Sequence, residues 1–373
     1  MSKHASELRF KCTVCGKRYP TNTSDWCCPS CGGPFVLVGT PPFNRDEIAS
    51  QEFSLWRYHR MLGVEKTATL GEGLTPLVPI KGYNPNVLFK LEFLAPTGSF
   101  KDRGVAVMTS FLRSIGVKKV VEDSSGNAAA SLAAYCGTAG IKAKICVPSY
   151  TSPAKLGQIK AYGAELVSVP GPRAEARRAA EATARKGTYY ASHYWNPFAL
   201  EGLKTFAYEL VEQLNWSCPD NIVVPCGHGT LLLGAYYGLR DLMDNKVISR
   251  MPRIFAVQAA ACDPVVKASD SQLDDTNPIS PGETVAEGIQ IAEPVRGREI
   301  LSVFENTHGK ALSVEEEEIL QAHRELRHSG LYVEFTSAVA VAGLKRLLNE
   351  GIIDLEEKTV VALTGNGLKN PRI

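Results

Sequence analysis

A chain of 373 residues is too long for a lone module; at roughly 150 residues per domain it predicts about two domains with room for a small appendage. Hydrophobic residues at 44% and charged residues at 21% exclude a disordered, collagen-like or coiled-coil chain. A formal net charge of +2 gives no global reason to expect nucleic acid or an anionic membrane as partner, which leaves a small molecule.

The opening segment, Met1-Ser2-Lys3-His4-Ala5-Ser6-Glu7, has no apolar run of the kind a secretory leader carries, so a cytoplasmic location with reduced thiols is expected. Two Cys-x-x-Cys knuckles follow, Cys12 with Cys15 and Cys28 with Cys31, separated by twelve residues and each trailed by a glycine, Gly16 or Gly32. Four thiolates at that spacing suit the tetrahedral preference of zinc, and a closed four-cysteine site leaves no position for water, so this metal is expected to hold structure. Cys27 is read as a bystander. Lys11, Lys17 and Arg18 beside Asp25 are too thin a basic set for nucleic acid.

Gly39-Thr40-Pro41-Pro42-Phe43-Asn44 reads as a linker. Beyond it, short β-rich runs alternate with helical patterns, the mark of βαβ units around mostly parallel sheet. Strands are expected at 87–90, 119–122, 143–147, 165–169, 222–225, 254–257 and 359–363, and helices at 102–115, 128–139, 153–162, 174–185, 200–214 and 314–327. The last helix is expected to open on a capping box beginning at Ser313. The long uncharged run from Ile222 to Leu239 is broken by Pro225, Gly227, Gly229, Gly234 and Gly238, so it reads as strand, turn and helix and not as a membrane span.

In open α/β sheets ligands gather where strand ends meet helix starts, and three such places stand out. Gly98-Ser99-Phe100-Lys101-Asp102-Arg103-Gly104 puts a lysine at a helix start, where the positive helix end and burial both favour the neutral amine; taken alone, a solvated lysine beside Asp102 is the more frequent case. Ser124-Ser125-Gly126-Asn127-Ala128 can close amide groups around a carboxylate, or can be an ordinary Ser or Asn cap. Gly227-His228-Gly229-Thr230 lets backbone approach a phosphate, although it lacks the spacing of a dinucleotide fold or a P-loop.

With Thr364-Gly365-Asn366-Gly367 and Gly71-Glu72-Gly73-Leu74-Thr75-Pro76, these segments resemble the threonine synthase group of fold-type II pyridoxal phosphate enzymes, over nearly the whole chain. The resemblance implies an α/β fold of two open, twisted, mostly parallel sheets flanked by helices, preceded by the zinc ribbon. It implies a ribbon at 1–38, a linker and first part of the large domain at 39–98, a small α/β domain at 99–195 and a large cofactor-binding domain at 196–373. By the same resemblance Lys101 holds the cofactor as an internal aldimine and moves protons at Cα, and Asn127 bonds the cofactor's 3-oxygen. Ser124, Ser125 and Ala128 receive the substrate carboxylate. Gly227, His228, Gly229 and Thr230 receive the phosphate, and Thr364 faces the pyridine nitrogen, where a neutral hydroxyl disfavours transamination.

The implied reaction is conversion of O-phosphohomoserine to threonine and phosphate by a homodimer, without membrane or nucleic-acid partners. Ala128 and Ala129 stand where threonine synthases commonly carry a hydroxyl, and Val285-Ala286-Glu287-Gly288-Ile289 is similar to a segment of serine and threonine ammonia-lyases. A β-elimination or β-replacement enzyme, ammonia-lyase-like or cysteate synthase-like, is therefore the alternative. A non-catalytic zinc-ribbon protein binding a ligand or RNA is the alternative from another class. Arg296-Gly297-Arg298 is read as an acid-binding or solvated turn, Glu334 as a ring neighbour or helix cap, and Tyr135, Tyr236 and Tyr237 as core.

Overall fold

A computed structural model describes residues 8–369 and 371, apart from the side chain of Lys155. The opening heptapeptide, and with it the expectation about a leader, lies outside the described residues. The chain divides into two compact units: one takes the residues up to Leu74 together with Lys101–Thr205, the other Thr75–Phe100 together with the chain from Phe206 onward.

In the first unit, the strand Arg9–Cys12 pairs antiparallel with both Arg18–Pro20 and Phe35–Val38. Strand alternation turns Phe10 and Cys12 inward and leaves Arg9 and Lys11 in water. Phe10 stacks on Phe35 at 5.3 Å and meets Phe111 and Phe198 edge-on at 6.5 and 6.0 Å. A ribbon this small has too little apolar surface for a core of its own, and it shares one with the helices behind it.

The second sheet of this unit runs Glu165–Val169, Lys142–Pro148, Lys119–Glu122, Tyr189–Tyr190, all parallel. Two glycines set how its helices meet. A Cβ on Gly104 would lie 2.7 Å from the Ala199 carbonyl, and one on Gly202 would lie 2.1 Å from that of Arg103, so the helix Lys101–Ser114 and the start of Pro197–Gln213 cross backbone to backbone. Glu72 is fully buried and accepts from Trp56 Nε1 (2.7 Å), Tyr135 Oη (2.8 Å) and Leu70 N (2.8 Å), which pins the Gly71-Glu72-Gly73 turn.

The second unit holds a six-stranded sheet in the order Lys310–Val314, Arg253–Ala259, Asn221–Pro225, Thr359–Ala362, Val87–Lys90, Leu77–Pro79. It is parallel except for the last strand, an antiparallel edge on which Pro79 is tolerated. The central strands Asn221–Pro225 and Thr359–Ala362 are buried along their whole length, as expected where helices cover both faces. Lys90 pairs with Glu209 in the interior of this unit, and Thr75 Oγ1 donates to Glu92 at 2.7 Å beside them.

The units differ from the sequence-based boundaries at three places, the smallest being Ser99 and Phe100, which stay in the second unit. Residues 39–74 belong with the ribbon and the four-stranded sheet, because Leu55, Trp56 and Leu62 pack into the same core as Phe10. Residues 196–205 also stay in the first unit, where Phe198 stacks on Phe111 at 3.7 Å. The capping box sits two residues later than expected. Glu315 is the N-cap of the helix Glu316–His328, with Glu318 closing the box, while Ser313 lies in the strand Lys310–Val314 and donates to Asp263 at 2.8 Å. Ile222 to Leu239 resolves into a strand, the glycine turn and the helix Thr230–Asp244, and no helix among the described residues is long and apolar enough to cross a membrane.

Candidate active site

The sulfurs of Cys12, Cys15, Cys28 and Cys31 all lie within 4.8 Å of one another. Cys12 and Cys31 are 3.5 Å apart and Cys15 and Cys28 3.6 Å, far beyond the roughly 2.0 Å of a disulfide. Zinc–sulfur bonds of about 2.3 Å at tetrahedral angles put sulfurs about 3.8 Å apart, so the cluster fits that ion. The backbone N–H of Cys15 points at Cys12 Sγ at 3.5 Å, and the Tyr19 hydroxyl lies 3.2 Å from Cys28 Sγ. Cys27 stands outside the cluster, and burial raises its thiol pKa.

In the first unit Lys101 is the first residue of the helix Lys101–Ser114. Some of the residue remains exposed, yet burial of its amine depresses the pKa to about 7; the Glu122 carboxylate opposes that shift and Arg173 adds to it. A substantial share of the amine is then neutral at neutral pH, the form that attacks aldehydes. Its neighbour Asp102 is no surface partner: it is buried and accepts from Ser131 Oγ at 2.7 Å.

The second sequence motif leaves the strand Lys119–Glu122 and enters the helix Asn127–Ala139. Its N-cap is Gly126, and no side chain caps the helix; Ser124 Oγ accepts instead from Gly126 N at 3.2 Å. First-turn amides without a side-chain cap are a receptor for an anion. Ser124 and Ala128 are buried beside this end, and Ser125 and Asn127 are half-buried.

Around this loop the structure draws in the two acids that open the sequence motif, to which the sequence alone assigns no role. Glu122 and Asp123 are both buried. Burial, and then the adjacent Asp123, push the Glu122 carboxyl up to about 8. His193 Nδ1 lies 3.0 Å from Glu122 Oε1, and Glu122 Oε2 has no hydrogen-bond partner among the described residues. A carboxyl whose folded pKa is raised holds its stabilising proton below its unfolded value near about 4.3, and loses that contribution as pH rises through the folded value. Glu122→Gln is therefore expected to gain stability over the parent as pH climbs from about 5 to 9, the gap in Tm widening by more than about 2 °C. A gap that stays constant across that range contradicts the shift.

In the second unit the glycine turn precedes the helix Thr230–Asp244. Gly229 is its N-cap with φ +70°, and no side chain caps it. A Cβ there would reach within 2.4 Å of Ile300 Cδ1, and one on Gly227 within 3.0 Å of Ile289 Cα, so only bare backbone fits the bend. Such a cradle at a helix start suits the phosphate arm of pyridoxal phosphate. Thr364 is buried just past the strand Thr359–Ala362, its Oγ1 3.2 Å from Ser337 Oγ. Ser337 Oγ also accepts from Thr364 N (3.0 Å) and Gly365 N (2.9 Å). The stretch before Lys101 is held to the same place: Ser99 bridges Gly365, and Phe100 N donates to the Thr364 carbonyl at 3.1 Å. Ser99 Oγ is buried with no hydrogen-bond partner among the described residues, a polar group suited to a ligand.

His228 is half-buried within the glycine turn, and the remaining expected candidates fall elsewhere. Arg296 is neither a solvated turn nor an open acid-binding group: it is buried and pairs with Glu299 at 2.8 Å, which also accepts from Tyr237 Oη at 2.7 Å. Glu334 occupies the N-cap position of the helix Phe335–Asn349 without a side-chain cap bond. Tyr135 and Tyr236 are buried, as expected of core residues.

The chain belongs to the pyridoxal-phosphate dependent enzyme family, whose sequence pattern matches residues 68–365. Within it the chain falls in the threonine synthase-like group of fold-type II enzymes. It is 35% identical to the threonine synthase of Methanocaldococcus jannaschii over 97% of this chain and 93% of that protein. It is 32% identical to that of Methanosarcina acetivorans over 97% and 92%. Among solved structures, the threonine deaminase of T.th. matches with a TM-score of 0.64 and 26% identity, covering 77% of this chain and 88% of the other. Threonine deaminase isoform 2 of Solanum lycopersicum shares the fold, with a TM-score of 0.70 and 22% identity over 88% of this chain and 92% of the other.

Proposed function

We propose that the chain is a cytoplasmic, homodimeric enzyme that converts O-phosphohomoserine and water into threonine and phosphate. The observation that carries this reading is Lys101, an amine kept partly neutral by burial at the head of a helix, in a chain alike to threonine synthases over nearly its full length. Pyridoxal phosphate, when bound, supplies an aldehyde for amines and a ring that accepts electrons as bonds at Cα break. Lys101 is its attachment point and then the base that takes and returns the Cα proton. The amides and hydroxyl of Gly227, His228, Gly229 and Thr230 hold the phosphate arm, and Asn127 bonds the 3-oxygen. Thr364, fixed by Ser337, offers the pyridine nitrogen a neutral hydroxyl. Ser124, Ser125 and the helix start at Ala128 orient the substrate carboxylate. The four-cysteine cluster holds a structural zinc ion.

A second reading, β-elimination or β-replacement on a serine-, threonine- or cysteate-type substrate, is favoured by one observation. Ala128 and Ala129, both buried behind Asn127, offer no hydroxyl to a second phosphate. The two are separated by incubating the holoenzyme with O-phosphohomoserine, threonine and serine in turn. Inorganic phosphate from the first substrate alone supports the threonine synthase reading, whereas ammonia and a keto acid from the others replaces it with the second.

A further inference from the structure

We propose that Trp26 and Tyr190 are positioning residues through which the cysteine ribbon braces the Ser124–Asn127 loop. Trp26 stands two residues before Cys28, so the path of its backbone is set by the second knuckle. Its ring meets Tyr190 edge-on, with centroids 5.4 Å apart and planes at 84°. Tyr190 sits on the edge strand paired parallel with Lys119–Glu122, opposite Val121, and its hydroxyl donates to Asp123 Oδ1 at 2.7 Å. Tyr194 adds a hydroxyl 3.3 Å from that of Tyr190 and 3.4 Å from either oxygen of Asp123. Asp123 directly precedes Ser124.

A buried carboxylate is costly unless it is hydrogen-bonded, and an apolar side chain would close a strand end at less expense. Two tyrosines committed to Asp123 fix the residue from which the loop departs, and Trp26 fixes one of those tyrosines. Every link in this line is at contact distance and lies within the first unit. The ribbon thus acts on the loop through packing, without contributing a group to the chemistry.

The inference rests on the carboxylate role given to this loop, so its test reads the loop and the ligand separately. Amide hydrogen exchange of residues 120–131 is measured on the holoenzyme, on Trp26→Ala, on Trp26→Phe, on Tyr190→Phe and on the parent after chelation of its zinc. Glycine, which presents an amine and a carboxylate and little else, is titrated by the change in cofactor absorption. Trp26→Ala is expected to speed exchange in the loop and weaken glycine binding by about threefold to tenfold, the range of one aromatic pair, with Trp26→Phe restoring most of it. Tyr190→Phe, which keeps the ring and removes only the hydroxyl, is expected to weaken glycine by about tenfold or more. It tests the link even if truncating Trp26 disturbs the ribbon. Chelation, which releases the ribbon and Trp26 with it, is expected to weaken glycine binding at least as much as Trp26→Ala does, and Trp26→Ala is expected to add nothing in the chelated protein. Unchanged loop exchange in Tyr190→Phe, or a further loss of glycine binding on Trp26→Ala in the chelated protein, overturns the brace. Faster exchange with unaltered glycine binding supports the brace and removes the carboxylate role from the loop.

Discussion

Lys101→Ala is expected to lower turnover by at least about 10³-fold while leaving the melting temperature and metal content of the protein unchanged. Proton transfer by a placed side chain contributes about 10²–10⁴ in rate, and Lys101 is assigned that work in addition to covalent attachment of the cofactor. Little stability is at stake, because removal of an amine that burial already holds near a pKa of about 7 relieves a desolvation cost. The glycine turn of the second unit is untouched, so the variant is expected still to take up pyridoxal phosphate, now without a covalent link. Borohydride treatment of the parent is expected to fix the cofactor to a single peptide containing Lys101, and to fix none in the variant. Turnover within tenfold of the parent, or a label on another lysine, removes Lys101 from its role.

Much of this site is legible in sequence because its parts are local. A lysine at a helix start, glycines at a bend and small residues between strand and helix each occupy fewer than ten consecutive positions, and the backbone requirements that select them act over the same span. Gly229 at φ +70° shows the reason, since any Cβ there meets Ile300. The strands 87–90, 119–122 and 165–169 are read to the residue for the same cause: short β-rich runs bounded by turn residues.

What the sequence leaves out is made by distant pairs. His193 reaches Glu122 across 71 positions and Tyr190 reaches Asp123 across 67, and no periodicity announces either. Two acids at the end of an apolar strand were the only local sign that a polar cluster forms there. Ser337 is likewise ordinary as a letter, becoming notable only when the segments at 337 and 364–365 meet. The segment 39–98 reads as linker and first part of the large domain because proline and glycine open it, whereas the assignment of residues 39–74 to the first unit comes from Leu55, Trp56 and Leu62, whose partners lie on the ribbon and on later helices. The strand Tyr189–Tyr190 is two residues long, too short for any alternation to show.

Cys28→Ser is expected to abolish stoichiometric zinc and to destabilise the first unit by several kcal/mol, a fall of about 10 °C or more in the melting temperature of the chain. The effect reaches past the ribbon because Leu8, Phe10, Phe35 and Leu37 are buried in the core that also holds Phe111 and Phe198. Losing the fold of residues 8–38 exposes these side chains, each worth about 1.5–3 kcal/mol when buried, and strips one side from Phe111 and Phe198. The entropy released by the unfolded ribbon offsets part of that loss, so the net effect is smaller than their sum. Cys27→Ser is the control: its sulfur stands outside the cluster, and this variant is expected to keep one zinc per chain and the parent melting temperature. Zinc is counted by metal analysis of the purified chains and stability by thermal unfolding. If Cys28→Ser keeps a full complement of zinc and the parent stability, the four-thiolate site is wrong; if Cys27→Ser loses its zinc, the ligand set has been misassigned within the second knuckle.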